Sequence, residues 1–315
     1  MPEADHKPVL LDAALEALAI RADGVYVDAT FGRGGHTRAI LDRLGPQGRL
    51  IAFDQDPDAA AEAAHLRDDS RFVFIASSFA RLGDELAARG LVGGVHGLLF
   101  DLGVSSPQFD VAERGFSFRH AGPLDMRMNT RQGTTLADWL AVASHGEIAR
   151  VIKQLGEDPM AGRIASRIVA ARDAGTLDDT AQLAAVIAEA VPAKISQGKR
   201  THPATRTFQA FRMHINDELG ALDAGLAGAL RAMTPAGRLA VISFHSLEDR
   251  RVKRFLRAQA QPAQPPVPMA EPVAPALNLV GKPVRARADE VAGNARARSA
   301  IMRVAERTEA PEVSA

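Results

Sequence analysis

Val25-Tyr26-Val27-Asp28-Ala29-Thr30-Phe31-Gly32-Arg33-Gly34-Gly35, running straight on into His36-Thr37-Arg38-Ala39-Ile40-Leu41, decides the fold of this 315-residue chain. Val25, Tyr26 and Val27 are β-formers suited to a short buried strand, and the glycine-rich bend after them hands the chain to a helical pattern. Gly32, Gly34 and Gly35 permit left-handed backbone angles and leave no Cβ between main chain and ligand, while free N–H groups and the positive helix end face the same space. Two acids flank that opening. Asp28 closes the strand, and Asp54, 19 residues past Gly35, closes the next apolar run Leu50-Ile51-Ala52-Phe53. That is where an α/β unit places a carboxylate for ribose hydroxyls.

The dinucleotide fingerprint fails here, because its third glycine position holds Thr37. A nicotinamide cofactor therefore fits poorly. A glycine turn that merely joins strand to helix is the bland alternative, and it does not explain two acids in register. One glycine-rich loop with two acids suits a nucleoside-bearing cofactor that lacks a pyrophosphate, such as S-adenosylmethionine.

Outward from this unit, His6-Lys7-Pro8-Val9-Leu10-Leu11 leads into a helical pattern over 12–20. Strands are predicted at 49–53, 71–76, 97–101 and 238–244, with an Ala-rich helix over 57–67, and alternation of this kind implies a parallel sheet. Phe79 follows the third strand and could cover an adenine or lie in the core. The loop after Asp101, Leu102 to Gln108, leaves the fourth strand at the edge where parallel sheets bind ligands. From Asp110 the strand rhythm stops for about 100 residues, and 139–150, 160–172 and 180–190 read as helices. An amphipathic helix or helix pair spans 208–233. Ser246 with Asp249 reads as a capping box opening a basic helix to Arg257. Residues 258–276 hold six Pro and six Ala and read as a flexible or polyproline excursion. Arg298 to Val304 is predicted to be a final strand, antiparallel on the sheet edge. The fold class is thus α/β, a doubly wound and mostly parallel Rossmann-like sheet with a helical insertion after the fourth strand. The expected division sets 1–110 with 207–315 against an insertion at 111–206.

Composition sets limits. With 46% apolar residues the chain can bury a sizeable core, and with no Cys it has neither disulfides nor thiolate metal sites. No metal site is read from the sequence. No signal peptide or membrane span is evident, so no membrane partner is expected and the cytoplasm is the default location. The formal charge is zero, but it is segregated: 191–214 holds Lys194, Lys199, Arg200, Arg206 and Arg212 without an acid, and 250–257 holds five bases without an acid. Elsewhere 28 bases face 38 acids, so two basic surfaces would steer a polyanion to one face.

Several motifs resemble a known family. D-A-T-F-G-R-G-G-H, D-L-G-V-S-S-P-Q, E-R-G-F-S-F-R, G-P-L-D-M-R-M, H-P-A-T-R-T-F-Q-A-F-R and S-F-H-S-L-E-D-R are similar to those of the bacterial 16S ribosomal RNA cytosine-N4 methyltransferases, called RsmH or MraW. The likeness runs from His6 to about Arg257 and returns at Asn294 to Ser299. It implies methyl transfer from S-adenosylmethionine to the exocyclic N4 of a cytidine in the decoding centre of the small subunit. It also implies a cofactor site of Gly34, Gly35, His36, Asp54, Phe79, Asp101 and Gln108. The cytosine amine is a poor nucleophile, so groups that accept its protons are needed, and Asp101, Ser105 and Ser106 in the loop after the fourth strand are the candidates. Phe109, Phe116 and Phe118 are candidates to stack the base. The expected partners are 16S ribosomal RNA within the small subunit and, as a homodimer, a second copy of the chain. A nucleotide-fold RNA-binding protein without activity and a DNA amino-methyltransferase are the alternatives. The intact glycine loop with its acids argues against the first, and the absence of an Asn/Asp/Ser-Pro-Pro-aromatic tetrapeptide against the second.

Overall fold

The computed structural model describes residues 8–192, 201–264 and 272–312; His6, Lys7, Lys194, Lys199 and Arg200 lie outside the described residues. The chain divides into two compact units, Met1–Gly103 with Leu219–Ala315, and Val104–Glu218. These boundaries enclose 111–206 with several residues to spare on each side.

The first unit is built on repeated strand and helix: α1 (Leu11–Leu18), β1 (Val25–Asp28), α2 (Gly35–Leu41), β2 (Arg49–Asp54), α3 (Pro57–Ala63), β3 (Phe72–Ala76), α4 (Leu82–Ala87) and β4 (Val95–Asp101). After the second unit come β5 (Met233–Ser243), β6 (Leu277–Leu279), β7 (Val284–Arg285) and β8 (Ile301–Arg307). The sheet order is β3-β2-β1-β4-β5-β8-β6, with β7 on β8. β1 to β5 are parallel, and β8 lies antiparallel on β5. Because β2 and β3 wind to one side of β1 and β4 and β5 to the other, the order reverses between β1 and β4. A crevice opens at the carboxyl ends there.

Strand periodicity explains why both faces are covered. Neighbouring residues point to opposite sides, so Val27, Ile51, Phe53, Leu98 and Phe100 pack against α4 and the helices Glu218–Ala232 and Ser246–Ala260. Tyr26, Leu50, Ala52 and Leu99 pack against α1, α2 and α3. Such doubly buried strands read as continuous apolar runs.

The second unit has its own core. Helices Leu136–Val142, His145–Leu155, Ala161–Asp173, Thr180–Ala190 and Thr205–Ile215 bury Ile152, Ile164, Ile168, Leu183 and Phe211 completely.

Several expected boundaries move. The helix expected over 139–150 is two, because Ser144 accepts from the Glu147 amide while the Glu147 carboxylate accepts from the Ser144 amide, so a new helix starts mid-pattern. The 208–233 pattern is also a pair, Thr205–Ile215 and Glu218–Ala232, broken where Asp217 takes a left-handed φ of 45°. The basic helix is capped by His245 and Glu248, not by Ser246 and Asp249. That helix runs on to Ala260, so the start of the Pro/Ala-rich segment is helical up to the first proline, Pro262. Residues 265–271 of that segment lie outside the described residues. The final strand is antiparallel as expected but occupies Ile301–Arg307. β6 and β7 were not expected, since runs of two and three residues carry no periodicity to read. No helix among the described residues is long and apolar enough to cross a membrane.

Candidate active site

The carboxyl ends of β1, β2 and β4 bring Asp28, Asp54 and Asp101 to the rim of the crevice around the loop Ala29–Gly34. The loop is held from both sides. Asp28 is 1% exposed, and its two oxygens accept from the Thr30 amide at 3.1 Å and the Thr37 hydroxyl at 2.7 Å. Asp28 therefore braces the loop and is turned away from solvent. Thr37, the residue that breaks the dinucleotide fingerprint, ties α2 back to β1 where a third glycine would allow close packing. Thr30 accepts from the Asp101 amide at 2.7 Å, which joins the loop to β4.

Gly34 sits at φ 73°, and a Cβ there would lie 2.8 Å from the Phe31 ring; one on Gly35 would lie 2.3 Å from Pro8. Gly34 is required by its backbone angle and Gly35 by the close approach of Pro8.

Asp54 reaches across from β2. One oxygen accepts from the Gly32 amide at 2.8 Å and the other from the Asp56 amide at 2.9 Å. Burial pushes its carboxyl up to about 6, against those two amides, which favour the charged form. Charged hydroxyl acceptors with lone pairs to spare suit ribose.

His36, in the first turn of α2, is 5% exposed. Burial lowers its pKa to about 4, only partly opposed by a backbone hydrogen bond with Val9, so the ring is neutral at physiological pH. Its Nδ1 is 3.6 Å from Asp101 Oδ2, beyond a hydrogen bond. Asp101 is raised well above the ordinary carboxylate range, first by burial and then by the charges of Asp28 and Glu248. His36 Nε2 and Asp101 Oδ1 are buried and make no hydrogen bond among the described residues. Two buried polar atoms of this kind fit a polar ligand, and the clustered acids Asp28, Asp101 and Glu248 fit one that carries a positive charge, as a sulfonium does.

Phe79, beyond β3, is half-buried, meeting Phe100 edge-on at 5.6 Å and 81°. A Cβ on Gly225 would come within 2.9 Å of its ring, so core packing fixes its position. Ser105, Ser106 and Gln108 belong to the second unit. Gln108 is 6% exposed, and its Oε1 accepts from the Ser105 amide at 2.9 Å, tying these two candidates together. Of the stacking candidates, Phe116 is 3% exposed in the second core beneath the Arg114 guanidinium, and Phe109 is packed on that core. Phe118, partly buried like Phe109, packs against an exposed side chain, His202. Sequence reasoning missed Thr30 and Thr37. For Thr37 the signal was present, since a β-branched hydroxyl stood where the fingerprint asks for glycine.

Residues 3–308 match the model of the MraW methylase family. The ribosomal RNA small subunit methyltransferase H of Cupriavidus pinatubonensis is 55% identical, over 97% of this chain and 93% of the relative. That of Halorhodospira halophila is 55% identical over 96% and 94%, and that of Alteromonas mediterranea 52% identical over 97% and 98%. With the family pattern matched over nearly all its length, and the glycine loop with its strand-end acids in place, the chain belongs to the MraW methylase family.

Proposed function

We infer that the chain is an S-adenosylmethionine-dependent methyltransferase acting on the exocyclic N4 of a cytidine in 16S ribosomal RNA, at the decoding centre of the small subunit. The observation that carries this reading is the meeting of Asp54 with the Gly32 amide at the mouth of the loop, in a chain that shares more than half its residues with small-subunit methyltransferases. Asp54 accepts the ribose hydroxyls. Gly34 and Gly35 let the backbone lie against the cofactor, and Phe79 flanks its base. His36, Asp101 and Gln108 complete the cofactor's polar contacts. The cofactor supplies an electrophilic methyl group on a sulfonium.

The chain must make the amine nucleophilic. The cytosine nitrogen lone pair is delocalised into the ring, so methyl transfer requires the nitrogen to pyramidalise and shed a proton. Asp101, held high by burial and neighbouring charge, takes up a proton readily once ionised. Ser105, Ser106 and the main-chain carbonyls of their loop are the neutral acceptors. Line-up of methyl and nitrogen does the rest.

The 111–206 insertion is the substrate-side domain in this reading, and the chain works in the cytoplasm; gel filtration of the purified protein would read whether it does so as a homodimer. Nucleoside analysis of small subunits incubated with enzyme and methyl-labelled cofactor tests the function. Label in N4-methylcytidine is the expected result, and label in another nucleoside or none would overturn it.

A further inference from the structure

Two separate motifs of the second unit meet at its surface. Phe118, from E-R-G-F-S-F-R, lies 4.8 Å from the His202 ring, centroid to centroid, at 38°. Its edge meets Phe208 at 4.8 Å and 71°, and Phe208 is 4% exposed in the unit's core. Three rings thus run from a buried anchor, through a half-exposed phenyl, to an exposed imidazole. The imidazole is fixed in orientation: Nδ1 accepts from the Ala204 amide at 3.2 Å, and the His202 carbonyl accepts from the Thr205 amide at 3.0 Å. Phe118 covers one part of the ring, and the rest faces solvent.

Such a ring is preorganised for stacking, because its rotamer is already restricted before anything binds. The charges around it say what would stack. Arg119 and His120 follow Phe118 in sequence and are exposed, as is Arg206 in the first turn of the helix Thr205–Ile215. The sequence holds no acid anywhere in 191–214. Exposed aromatic rings among arginines are what single-stranded RNA uses, its bases on the rings and its phosphates on the guanidiniums. An acidic peptide would meet the cations but has no use for the flat, open imidazole face.

We propose that the Phe118–His202 pair is a stacking platform for an unpaired base of the ribosomal RNA substrate, with Arg119 and Arg206 serving the adjoining phosphates. The proposal rests on RNA being the substrate, and it adds where in the second unit that substrate is gripped.

His202 has a second role that must be separated from stacking, because its Nδ1 also holds the Ala204 amide just ahead of the following helix. His202→Asn keeps an acceptor near that position and removes the ring. His202→Tyr keeps a ring and removes the acceptor. Steady-state methylation of small subunits by the full chain, with labelled cofactor, reads both. His202→Asn is expected to raise KM for small subunits by about 5- to 150-fold, the range that one base–aromatic stack supplies, with kcat unchanged. His202→Tyr is expected to stay within about threefold of wild type, well inside a single stack. An unchanged KM in His202→Asn, or an equal loss in both variants, would overturn the platform. Loss in the Tyr variant alone would assign His202 to holding the Ala204 amide and overturn it as well. Wild-type protein that leaves small subunits unmethylated would sink the functional reading itself, a result distinct from either.

Discussion

Asp54 spends both oxygens on backbone amides and still has lone pairs for a ligand, so with the proposed ribose contact its protonation state would set cofactor affinity. A carboxyl held at about 6 is ionised above that pH and can accept two hydroxyls; below it one oxygen becomes a donor. Ribose binding would favour the charged form, so the proposed contact is expected to release a proton on binding, with affinity falling as pH drops through about 6. Asp54→Ala should weaken cofactor binding by about 1–3 kcal/mol at pH 8, the scale of a hydrogen bond to a charged group, and should remove the acid-side loss. Calorimetry across pH 5 to 8 checks both, and a folded variant with wild-type affinity would take Asp54 out of the site. The proposed chemistry belongs to other residues. Ser105→Ala, Ser106→Ala and Asp101→Asn should include at least one variant whose single-turnover rate falls more than its cofactor affinity. Wild-type rates in all three would leave main-chain carbonyls as the proton acceptors.

Among the elements, the helix Ser246–Ala260 shows how a charge run divides between structure and function. Arg251 pairs with Asp223, and Asp249 on the same helix takes a two-pronged bond from Arg303 of β8 at 2.7 and 3.0 Å. Lys253 and Arg254 are exposed. Neutralising Lys253 and Arg254 together should weaken RNA binding and reduce its salt slope by about 1 for each phosphate that no longer has a cation beside it, whereas Arg251→Gln should act mainly on stability. Binding isotherms at several salt concentrations decide, and an unchanged slope would make this a solvated face. The sequence could show the run but not the split, because Asp223 lies 28 positions upstream of Arg251 and only the fold joins them. The helix cap escapes a sequence reading for a similar reason. Ser246 and Asp249 satisfy the pattern at the usual spacing, yet the Glu248 carboxylate reaches the amides of Phe244 and His245 at 2.8 and 3.2 Å, which moves the cap back one residue. The strands were legible because each is an apolar run between turn residues and long enough to show it. The edge strands β6 and β7 were not, since pairing with β8 defines them and no local pattern does.

For the whole molecule, the division that matters is between cores. Every buried residue of one core lies in 104–218, and the residues of the other two lie outside it. The strand rhythm that stops near Asp110 and resumes late is the sequence's mark of this, and the glycine-rich loop stands wholly on one side of it. The exact joints were not legible, because an insertion that starts in a loop changes composition gradually. Cutting at 112 and 206 would leave Phe208 and Phe211, both buried in the insertion's core, exposed on the remaining piece. Replacing 104–218 by a short Gly/Ser linker removes that core as a unit and avoids the stranded apolar surface. The resulting protein should bind S-adenosylmethionine, more weakly for lack of Gln108, and show it as a cofactor-dependent rise in Tm. It should not methylate small subunits. Base extraction from folded RNA needs a grip well beyond the catalytic pocket, and in this chain the insertion is the part free to provide it, having no share in the sheet. Methylation of small subunits by the shortened protein would refute the substrate-side role of the insertion. A shortened protein that neither folds nor binds cofactor would refute the independence of the two cores instead, and charge reversal at Arg119 and Arg206 in the full chain would then carry the question of where the RNA is held.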